Sequence, residues 1–197
     1  MRTRVRRHAS HTDVASMLRR SADVQARLAR GATTDIQRAA SLMAQALQTG
    51  RKIIWFGNGG SATQSQHMAA EFVGRFSKDR RSLPSVSLTE NMASVTAIAN
   101  DYAYDRIFER QLEGLSQPGD VAVGLSTSGS SRNVIAGLRK AQELGLTTIG
   151  LTGAKGHAMQ RVCEVCIMVP TAETARIQEA HLTIGHILCA LVEDVLT

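Results

Sequence analysis

The sequence predicts an α/β protein: a doubly wound, five-stranded parallel sheet flanked by helices, with an N-terminal helical extension. Three observations predict this fold class. Short apolar runs alternate along the chain with longer segments of helical periodicity. Nearly every position of each run is apolar, which is typical of strands buried on both faces of a parallel sheet. Hydroxyl- and glycine-rich turns follow two of these runs, at the strand ends where such sheets bind ligands.

The predicted elements follow the order of a protein in which helices connect parallel strands. Strands are predicted over 53–56, 85–88, 121–125, 147–151 and 165–169. Helices are predicted over 62–72, over 91–114 with a break near 100–102, over 133–144 and over 175–195. Gly145 is expected to end the third of these helices, and Pro170 stops the last strand.

Two amphipathic helices are predicted between residues 12 and 48, ahead of the first strand. Their apolar faces consist of Val14, Leu18, Val24 and Leu28 in the first, and of Ile36, Ala40, Met43, Ala44 and Leu47 in the second. Gly31 separates the two helices, and Gly50 closes the second. One small sheet cannot bury both faces, so the helices pack either on the sheet or against a second subunit. We expect the second arrangement.

Composition and charge limit which domain organisation and which partners are expected. A single domain over 12–197 is expected, preceded by a basic disordered tail over 1–11. The first 30 residues contain eight arginines and two aspartates, which accounts for the entire formal net charge of +6. No basic domain face remains for nucleic acid, so none is expected as a partner. No apolar run approaches the roughly 20 residues of a membrane span, and a cytoplasmic protein is expected.

The three cysteines predict a reducing compartment, because any disulfide scheme leaves one of them unpaired. Cys163 and Cys166 form a C-x-x-C pair, which is one half of a common zinc motif. They enter an apolar run, however, and no second ligand pair follows at zinc spacing. Packing is therefore the favoured interpretation.

The segment 52–71 combines a strand, a glycine-rich turn and a helix. Gly57, Asn58, Gly59 and Gly60 permit a tight turn, and Ser61 is the predicted N-cap of the helix. Unpaired N–H groups and the positive end of the helix dipole favour an anion at this turn. The glycine spacing fits neither the dinucleotide fingerprint nor the P-loop. The alternative is a turn that only connects strand and helix.

A second loop over 126–131, with the sequence STSGSS, follows the third predicted strand. It offers five hydroxyls and several backbone amides ahead of a helix. Uncharged donors at a helix N-terminus are sufficient to hold a phosphate dianion. A capped turn is the alternative, since serine commonly caps helices. Because two such loops lie at carboxyl ends of strands in one sheet, phosphate binding is favoured.

His67 and Glu71 stand four residues apart, on one face of the helix after the glycine-rich turn. A carboxylate and an imidazole at this spacing are able to bind one metal ion or to transfer protons. A solvated surface pair is the alternative interpretation.

Four motifs in the same order resemble those of one known superfamily. They are Gly-Asn-Gly-Gly-Ser-Ala at 57–62, Ala-Ile-Ala-Asn-Asp-Tyr at 97–102, Ser-Thr-Ser-Gly-x-Ser at 126–131 and Ala-Arg-Ile-Gln-Glu-x-His at 175–181. With these motifs the chain resembles the sugar isomerase (SIS) superfamily, which has a flavodoxin-like fold, and within it the phosphoheptose isomerases. The likeness extends from about residue 48 to residue 191.

The resemblance implies an aldose–ketose isomerase that converts sedoheptulose 7-phosphate to D-glycero-D-manno-heptose 7-phosphate through an enediol(ate). It also implies one Zn²⁺ per subunit and a homotetramer. The implied acid/base pair is Glu71 and His186, and the implied metal ligands are His67, Glu71, Gln178 and His186. The implied substrate-binding residues are Asn58, Gly59, Gly60, Ser61, Glu71, Asn100, Asp101, Ser126, Thr127, Ser128, Ser131 and Gln178.

The spacing of the implied ligands on the last helix bears on subunit contacts. Gln178 and His186 are eight residues apart, which on a continuous helix is a rise of about 12 Å. Either Gln178 precedes the regular helix, or one of the two residues serves a neighbouring subunit's site. We expect the second, with an active site shared across an oligomer interface. His181 is the competing ligand, whereas His157 is expected in a surface loop.

Three alternatives accompany this interpretation. A non-catalytic SIS protein that binds a phosphosugar as a regulator is expected to lack the four implied ligands, so their presence favours the enzyme. A metal-independent SIS isomerase would not need them. Departures from the family pattern, Thr-Gln-Ser-Gln at 63–66 and Glu-Asn at 90–91, leave a related heptose or octose phosphate as the third alternative. A Glu bound tightly to zinc is a poorer base, so either Glu71 is released from the metal when substrate binds or the metal is mainly structural.

Overall fold

The computed structural model describes residues 13–197, so the basic tail predicted over 1–11 lies outside the described residues. The helices are α1 (Val14–Gly31), α2 (Thr33–Gln48), α3 (Gly60–Val73), α4 (Met92–Asp101), α5 (Ile107–Leu115), α6 (Arg132–Glu143), α7 (His157–Gln160) and α8 (Thr174–Leu196). The strands are β1 (Ile53–Gly57), β2 (Ser85–Ser87), β3 (Val121–Ser126), β4 (Thr147–Gly153) and β5 (Val165–Val169). None of the helices in residues 13–197 combines the length and the apolar character needed to cross a lipid bilayer.

Two short helical segments refine the predicted order of elements. A 3₁₀ turn over Tyr104–Arg106 separates α4 from α5, close to the predicted break. Helix α7 has only four residues, too few for a periodic pattern to reveal it. His157 begins this helix, so the prediction that it lies in a loop is wrong. The prediction that it lies at the surface is confirmed, because His157 is exposed.

The five strands form one all-parallel sheet in the order β2-β1-β3-β4-β5, which confirms the predicted doubly wound fold. From β1 the chain moves to the edge strand β2 and then returns past β1 to β3, so the strand order reverses at this point. Gly57 of β1 pairs with Leu125 of β3. The loops that follow these two strands therefore lie side by side at the switch point, where open α/β sheets bind ligands.

Residues of β1 alternate between two hydrophobic cores, one on each face of the sheet. Ile53 and Trp55 belong to the core formed with α1, α2, α3 and α8, whereas Ile54 and Phe56 belong to the core formed with α5, α6 and α7. All four side chains are fully buried, and each such burial stabilises the fold by about 1.5–3 kcal/mol. Because both faces are covered, polar groups that act on a ligand are confined to the strand ends and to the helices that follow them.

The N-terminal helices pack on the rest of their own chain, and the expectation that they also pair with a second subunit stays a prediction. Helix α2 lies on one face of the sheet, where Met43 is fully buried. Helix α1 packs on α8, with Val24 buried. The physical reason is that α8 adds an apolar surface to that of the sheet. At the start of α1, Val14 and Leu18 remain 69% and 66% exposed.

Candidate active site

The glycine-rich turn after β1 is shaped by close approaches of the backbone. A Cβ atom at Gly57 would lie 2.9 Å from the carbonyl oxygen of Leu125 and 2.7 Å from Cβ of Ser61, closer than such atoms pack. Gly59 has a φ of 55°, a conformation that favours glycine. Gly59 is also the N-cap of α3, so the prediction that Ser61 caps this helix is wrong. Because the turn closes two residues earlier, Ser61 lies buried in the first helical turn.

The hydroxyl-rich loop after β3 is held by its own side chains. The Oγ atoms of Ser126 and Ser131 lie 3.0 Å apart, and Oγ of Ser126 accepts a hydrogen bond from N–H of Gly129 at 3.1 Å. Ser131 is the N-cap of α6, but its side chain makes no capping bond. N–H of Val134 bonds Oδ1 of Asn133, which leaves the amides of Arg132 and Asn133 for another acceptor. Thr127 and Ser128 line a cavity of about 340 Å³ at this loop. The arrangement suits an anion that accepts hydrogen bonds.

Helices α3 and α8 bring two imidazoles and a carboxylate together. Nε2 of His67 lies 3.3 Å from Oε1 of Glu71 on the same helix and 3.0 Å from Nε2 of His186 on α8. One ligand atom from each of the three residues lies within 4.8 Å of the other two. Two imidazole nitrogens and one carboxylate oxygen at these separations fit a divalent transition metal such as zinc.

This histidine–glutamate cluster exists because α3 and α8 pack closely. Gly185 of α8 lies against Met68 of α3, where a Cβ would overlap the sulfur atom. Nearer the start of both helices, the side-chain N–H of Gln64 donates to the carbonyl oxygen of Gln178 at 2.7 Å. The two contacts show that the helices run in the same direction, each with its N-terminus at the carboxyl end of a strand. His67 and His186 are the sequence neighbours of Met68 and Gly185, so they lie where the two helices meet.

Gln178 does not join the histidine–glutamate cluster within one chain. It lies inside α8, which begins at Thr174, so the alternative that it precedes the regular helix is wrong. Its side-chain amide lies against Gly60 at the start of α3, where a Cβ would overlap it. Eight residues of continuous helix separate it from His186, a rise of about 12 Å. Gln178 therefore lies beside the glycine-rich turn and two helical turns away from the cluster.

The segment 74–80, which no sequence pattern indicated, supports the histidine–glutamate cluster from one side. The ring of Phe76 stacks on that of His186 with the ring centroids 5.4 Å apart. The guanidinium of Arg80 donates to the carbonyl oxygen of Glu71 at 2.9 Å. The segment thus restrains both the imidazole on α8 and the helix that carries the carboxylate.

A buried carboxylate near the end of α8 anchors this segment. Glu193 is 1% exposed and accepts hydrogen bonds from the backbone N–H groups of residues 76–78 and from Nε of Arg80. Burial alone raises the pKa of Glu193, but the hydrogen bonds from Ser77, Phe76 and Lys78 outweigh it and lower the pKa to about 2. Sequence reasoning missed this site because its partners lie more than 110 positions apart.

His181, considered as the competing ligand, lies apart from the histidine–glutamate cluster. It is 1% exposed and faces the backbone of Thr152 at the end of β4. Burial lowers the pKa of His181 to about 4, against the weaker opposing effect of that backbone contact. The imidazole is therefore neutral at pH 7 and packed in the interior.

Asn100 and Asp101, the residues implied to contact substrate, lie on the surface at the end of α4. Nδ2 of Asn100 donates to Oδ1 of Asp101 at 2.8 Å, and both residues are exposed. Among residues 13–197, the side chains of Asn100 and Asp101 make no other hydrogen bond. The structure of one chain does not bring them to the two loops.

The C-x-x-C pair packs against the sheet. A Cβ atom at Gly150 of β4 would lie 2.7 Å from Sγ of Cys163 and 3.2 Å from Sγ of Cys166. Within the described part of the chain, no third His, Cys, Asp or Glu joins the two thiols in a metal-binding group. The arrangement agrees with the packing interpretation.

Two residues that the sequence interpretation missed hold Asn58 in the glycine-rich turn. Asn58 exchanges two side-chain hydrogen bonds with Asn133, at 2.8 and 2.9 Å, and bonds the hydroxyl of Tyr104 at 2.9 Å. Asn133 lies two residues after the end of the hydroxyl-rich loop, and Tyr104 begins the 3₁₀ turn. One feature of the sequence could have indicated Asn133. It is a polar residue next to the buried Val134, on the side of α6 that faces the sheet.

Comparison with known proteins identifies the class to which this fold and site belong. The SIS domain family matches residues 18–153, more than half of the chain. The chain therefore belongs to the SIS domain family.

Within that family, the chain belongs to the phosphoheptose isomerases and is an enzyme. It is 49% identical over 181 residues to the phosphoheptose isomerase of Aquifex aeolicus, which covers 92% of this chain and 95% of that protein. It is 50% identical over 159 residues to the phosphoheptose isomerase of Aneurinibacillus thermoaerophilus, with coverage of 81% and 80%. The solved phosphoheptose isomerase from Neisseria gonorrhoeae is similar with a TM-score of 0.87 at 38% identity, over 92% of this chain and 97% of that chain.

Proposed function

We propose that this protein interconverts sedoheptulose 7-phosphate and D-glycero-D-manno-heptose 7-phosphate by proton transfer through an enediol(ate). The observation that carries the proposal is the meeting of Glu71 and His186, from two distant helices, in one cluster. Both helices begin at the ligand-binding edge of a phosphoheptose isomerase fold. A base and a proton carrier close to one bound sugar are what this isomerisation requires.

The substrate phosphate is assigned to the hydroxyl-rich loop. Its proposed contacts are Ser126, Thr127, Ser128 and Ser131. Three of the four hydroxyls already lie within 3.4 Å of a neighbouring hydroxyl of the loop, and they can turn their protons toward a dianion at little cost. The amides of Arg132 and Asn133 at the start of α6 add further donors.

The sugar chain is assigned to the turn after β1 and its surroundings. The proposed contacts are Asn58, Gly59, Gly60, Ser61 and Gln178, with Asn100 and Asp101 as further contacts. Glycine at 59 and 60 lets the backbone approach a ligand closely, since no side chain intervenes. Gln178 already lies against Gly60, which supports its role on the sugar side of the site.

The reaction moves one proton away from C1 of the ketose and one proton to C2. As the C1–H bond breaks, its electrons form the C1=C2 double bond of the cis-enediol(ate), and the C2–H bond of the aldose then forms. Glu71 is assigned as the base that takes the C1 proton, and His186 as the group that moves a proton between O1 and O2. The stacking of Phe76 on His186 supports this role, because it restrains the plane of the imidazole.

We assign one Zn²⁺ to His67, Glu71 and His186, with Gln178 as the fourth proposed ligand. The three clustered donor atoms fit a small divalent ion in number, kind and separation. When bound, such an ion would stabilise negative charge on sugar oxygens as a Lewis acid.

We further propose a homotetramer with the active site shared between subunits. Two ligands separated by about 12 Å along one rigid helix cannot bind the same small ion, so Gln178 and His186 of one chain serve different sites. The surface position of Asn100 and Asp101 agrees with this arrangement. An open apolar groove of about 390 Å³ between α1, α2 and α8, lined by Leu28, Ile36 and Ile187 among others, is a surface of the kind that subunit interfaces bury.

Hydrogen exchange tests the proposed reaction directly. The protein is incubated with sedoheptulose 7-phosphate and zinc in D₂O, and the sugar is followed by NMR. We expect an aldose product with deuterium at C2, because the base exchanges its proton with solvent. An absence of exchange, with and without zinc, would reject this reaction and favour a phosphosugar-binding regulator. Exchange with a related heptose or octose phosphate alone would keep the reaction and change the substrate.

A further inference from the structure

A pair of side-chain amides joins the two loops of the candidate site. Asn58 lies in the glycine-rich turn. Asn133 is the second residue of α6, the helix that begins directly after the hydroxyl-rich loop. Nδ2 of Asn58 lies 2.8 Å from Oδ1 of Asn133, and Nδ2 of Asn133 lies 2.9 Å from Oδ1 of Asn58. Asn133 is 2% exposed, and Asn58 is half-buried.

A backbone amide determines which way both side chains are turned. N–H of Val134 donates to Oδ1 of Asn133 at 2.9 Å. A backbone N–H can only donate, so the Asn133 atom that it meets must be the oxygen. The Nδ2 group of Asn133 is then turned to Asn58, and it requires the oxygen of Asn58 as its acceptor. The orientation of Asn58 thus follows from Asn133, and a flipped amide would place donor against donor.

The hydroxyl of Tyr104 completes the bonding of the Asn58 oxygen. Oη of Tyr104 lies 2.9 Å from Oδ1 of Asn58, and it is the donor because an amide oxygen only accepts. Both lone pairs of Oδ1 are then occupied, by Asn133 and by Tyr104. One N–H of Asn58 is occupied by Asn133. Among residues 13–197, the side chain of Asn58 is left with one free donor and no free acceptor.

We propose that Asn133 is a positioning residue of the isomerase, which fixes Asn58 as a hydrogen-bond donor to an oxygen of the sugar phosphate. This inference rests on the proposed function and assigns the chemistry of one of its contacts. Asn58 and Tyr104 line a cavity of about 180 Å³ beside the glycine-rich turn. Asn133 lies two residues after the end of the hydroxyl-rich loop. It therefore holds the donor group of Asn58 in a fixed position relative to the loop that is assigned to the phosphate.

The substitution Asn133→Asp tests the proposal with almost no change in shape. The carboxylate can still accept from Val134 and from Asn58, but its second oxygen faces Oδ1 of Asn58, and two acceptors repel. We expect kcat/KM for sedoheptulose 7-phosphate to fall at least about 10-fold, as loss of a buried hydrogen bond commonly causes. The inhibition constant of inorganic phosphate is expected to stay within about 3-fold, since the hydroxyl-rich loop is intact.

Two further measurements separate positioning from a structural role. A protonated carboxyl can donate, so the activity of Asn133→Asp relative to the wild type is expected to recover as the pH is lowered from about 8 to about 5. Tyr104→Phe, which keeps the ring and removes the donor, is expected to lower kcat/KM by about 3- to 10-fold. Gln142→Glu is the control, because it makes the same amide-to-carboxylate change at an exposed position of α6.

The outcomes distinguish this inference from the proposed function. If Asn133→Asp retains kcat/KM within about 3-fold of the wild type, the inference is overturned. It is equally overturned if the sugar kinetics, the phosphate inhibition constant and the melting temperature all worsen together, since that pattern belongs to a folding defect. If the wild type does not isomerise the sugar, the proposed function fails, and the variants are compared by calorimetric binding of sedoheptulose 7-phosphate. A selective loss of sugar affinity then supports the positioning role, and unchanged affinity rejects it.

Discussion

Nε2 of His67 and Nε2 of His186 lie 3.0 Å apart, although 119 positions separate the two residues in the chain. Two imidazole nitrogens at this distance repel each other through their lone pairs unless a proton or a metal ion lies between them. The carboxylate of Glu71, 3.3 Å from the first of these nitrogens, adds negative charge at the same point. The geometry therefore favours a cation there.

The substitution Glu71→Gln removes the proposed base while keeping the size of the side chain. Turnover is expected to fall by at least about 100-fold, which is the usual cost of losing a general base. Inhibition by inorganic phosphate is expected to persist, because the hydroxyl-rich loop lies on another element. Steady-state kinetics measure both quantities. Glu143→Gln, at an exposed position of α6, is the matched control, and a Glu71→Gln enzyme with most of its activity would remove Glu71 from the mechanism.

The substitution His67→Ala tests the assignment of the metal. After dialysis, the wild type is expected to contain about one zinc per chain, and the variant much less, because protein zinc sites rely on at least three protein ligands. Elemental analysis provides the measurement. His157→Ala is the control, since His157 is exposed on α7 and lies outside the histidine–glutamate cluster. Equal zinc in wild type and His67→Ala would contradict the assignment.

Mixed oligomers test whether the active site is shared. Gln178→Ala and His186→Ala are each expected to be inactive alone. If one subunit supplies Gln178 and its neighbour supplies His186, random pairing at a two-fold interface leaves about one site in four intact. Co-expression of the two variants with different tags, followed by double purification and assay, measures this recovery. Activity no higher than that of the two parents would place the complete site within one chain.

The buried imidazole of His181 predicts a dependence of stability on pH. Its pKa is about 4 in the folded protein, against 6.5 for an ordinary histidine. Because the unfolded chain takes up the proton first, the free energy of unfolding is expected to fall as the pH drops below 6.5. Between pH 7 and about pH 4.5 this one group accounts for about 2.5 kcal/mol.

Urea unfolding at pH 7 and at about pH 4.5 measures this dependence. The side chain in His181→Asn does not titrate, so the variant's loss of stability between the two pH values should be smaller by about 2.5 kcal/mol. The ordinary pKa of Glu193 is 4.5, and its pKa in the folded protein is about 2. Most of the effect of Glu193 on the free energy of unfolding therefore appears below the two pH values of the urea measurement. An identical pH dependence in wild type and variant would exclude His181 as its source.

Local patterns were sufficient to predict the fold and part of the candidate site. All five predicted strands form parallel strands of the sheet. In β1 and β3, burial on both faces leaves a continuous apolar stretch in the sequence. Gly50 and Gly145 have positive φ after helices, as predicted from their positions. The prediction that Ser61 is an N-cap failed because the turn is tightened by a backbone contact with β3, which lies more than 60 residues further along the chain.

The sequence by itself determined the strands, the two loops at the carboxyl ends of β1 and β3, and the common helical face of His67 and Glu71. Only the tertiary structure decided that His186 approaches that pair, that Gln178 stays two turns away, and that Asn133 turns the amide of Asn58. The physical reason is one of range. Strand and helix periodicity arises from backbone geometry over a few residues. The approach of α8 to α3 depends instead on close packing at Gly185 and Met68, and no local pattern contains that contact.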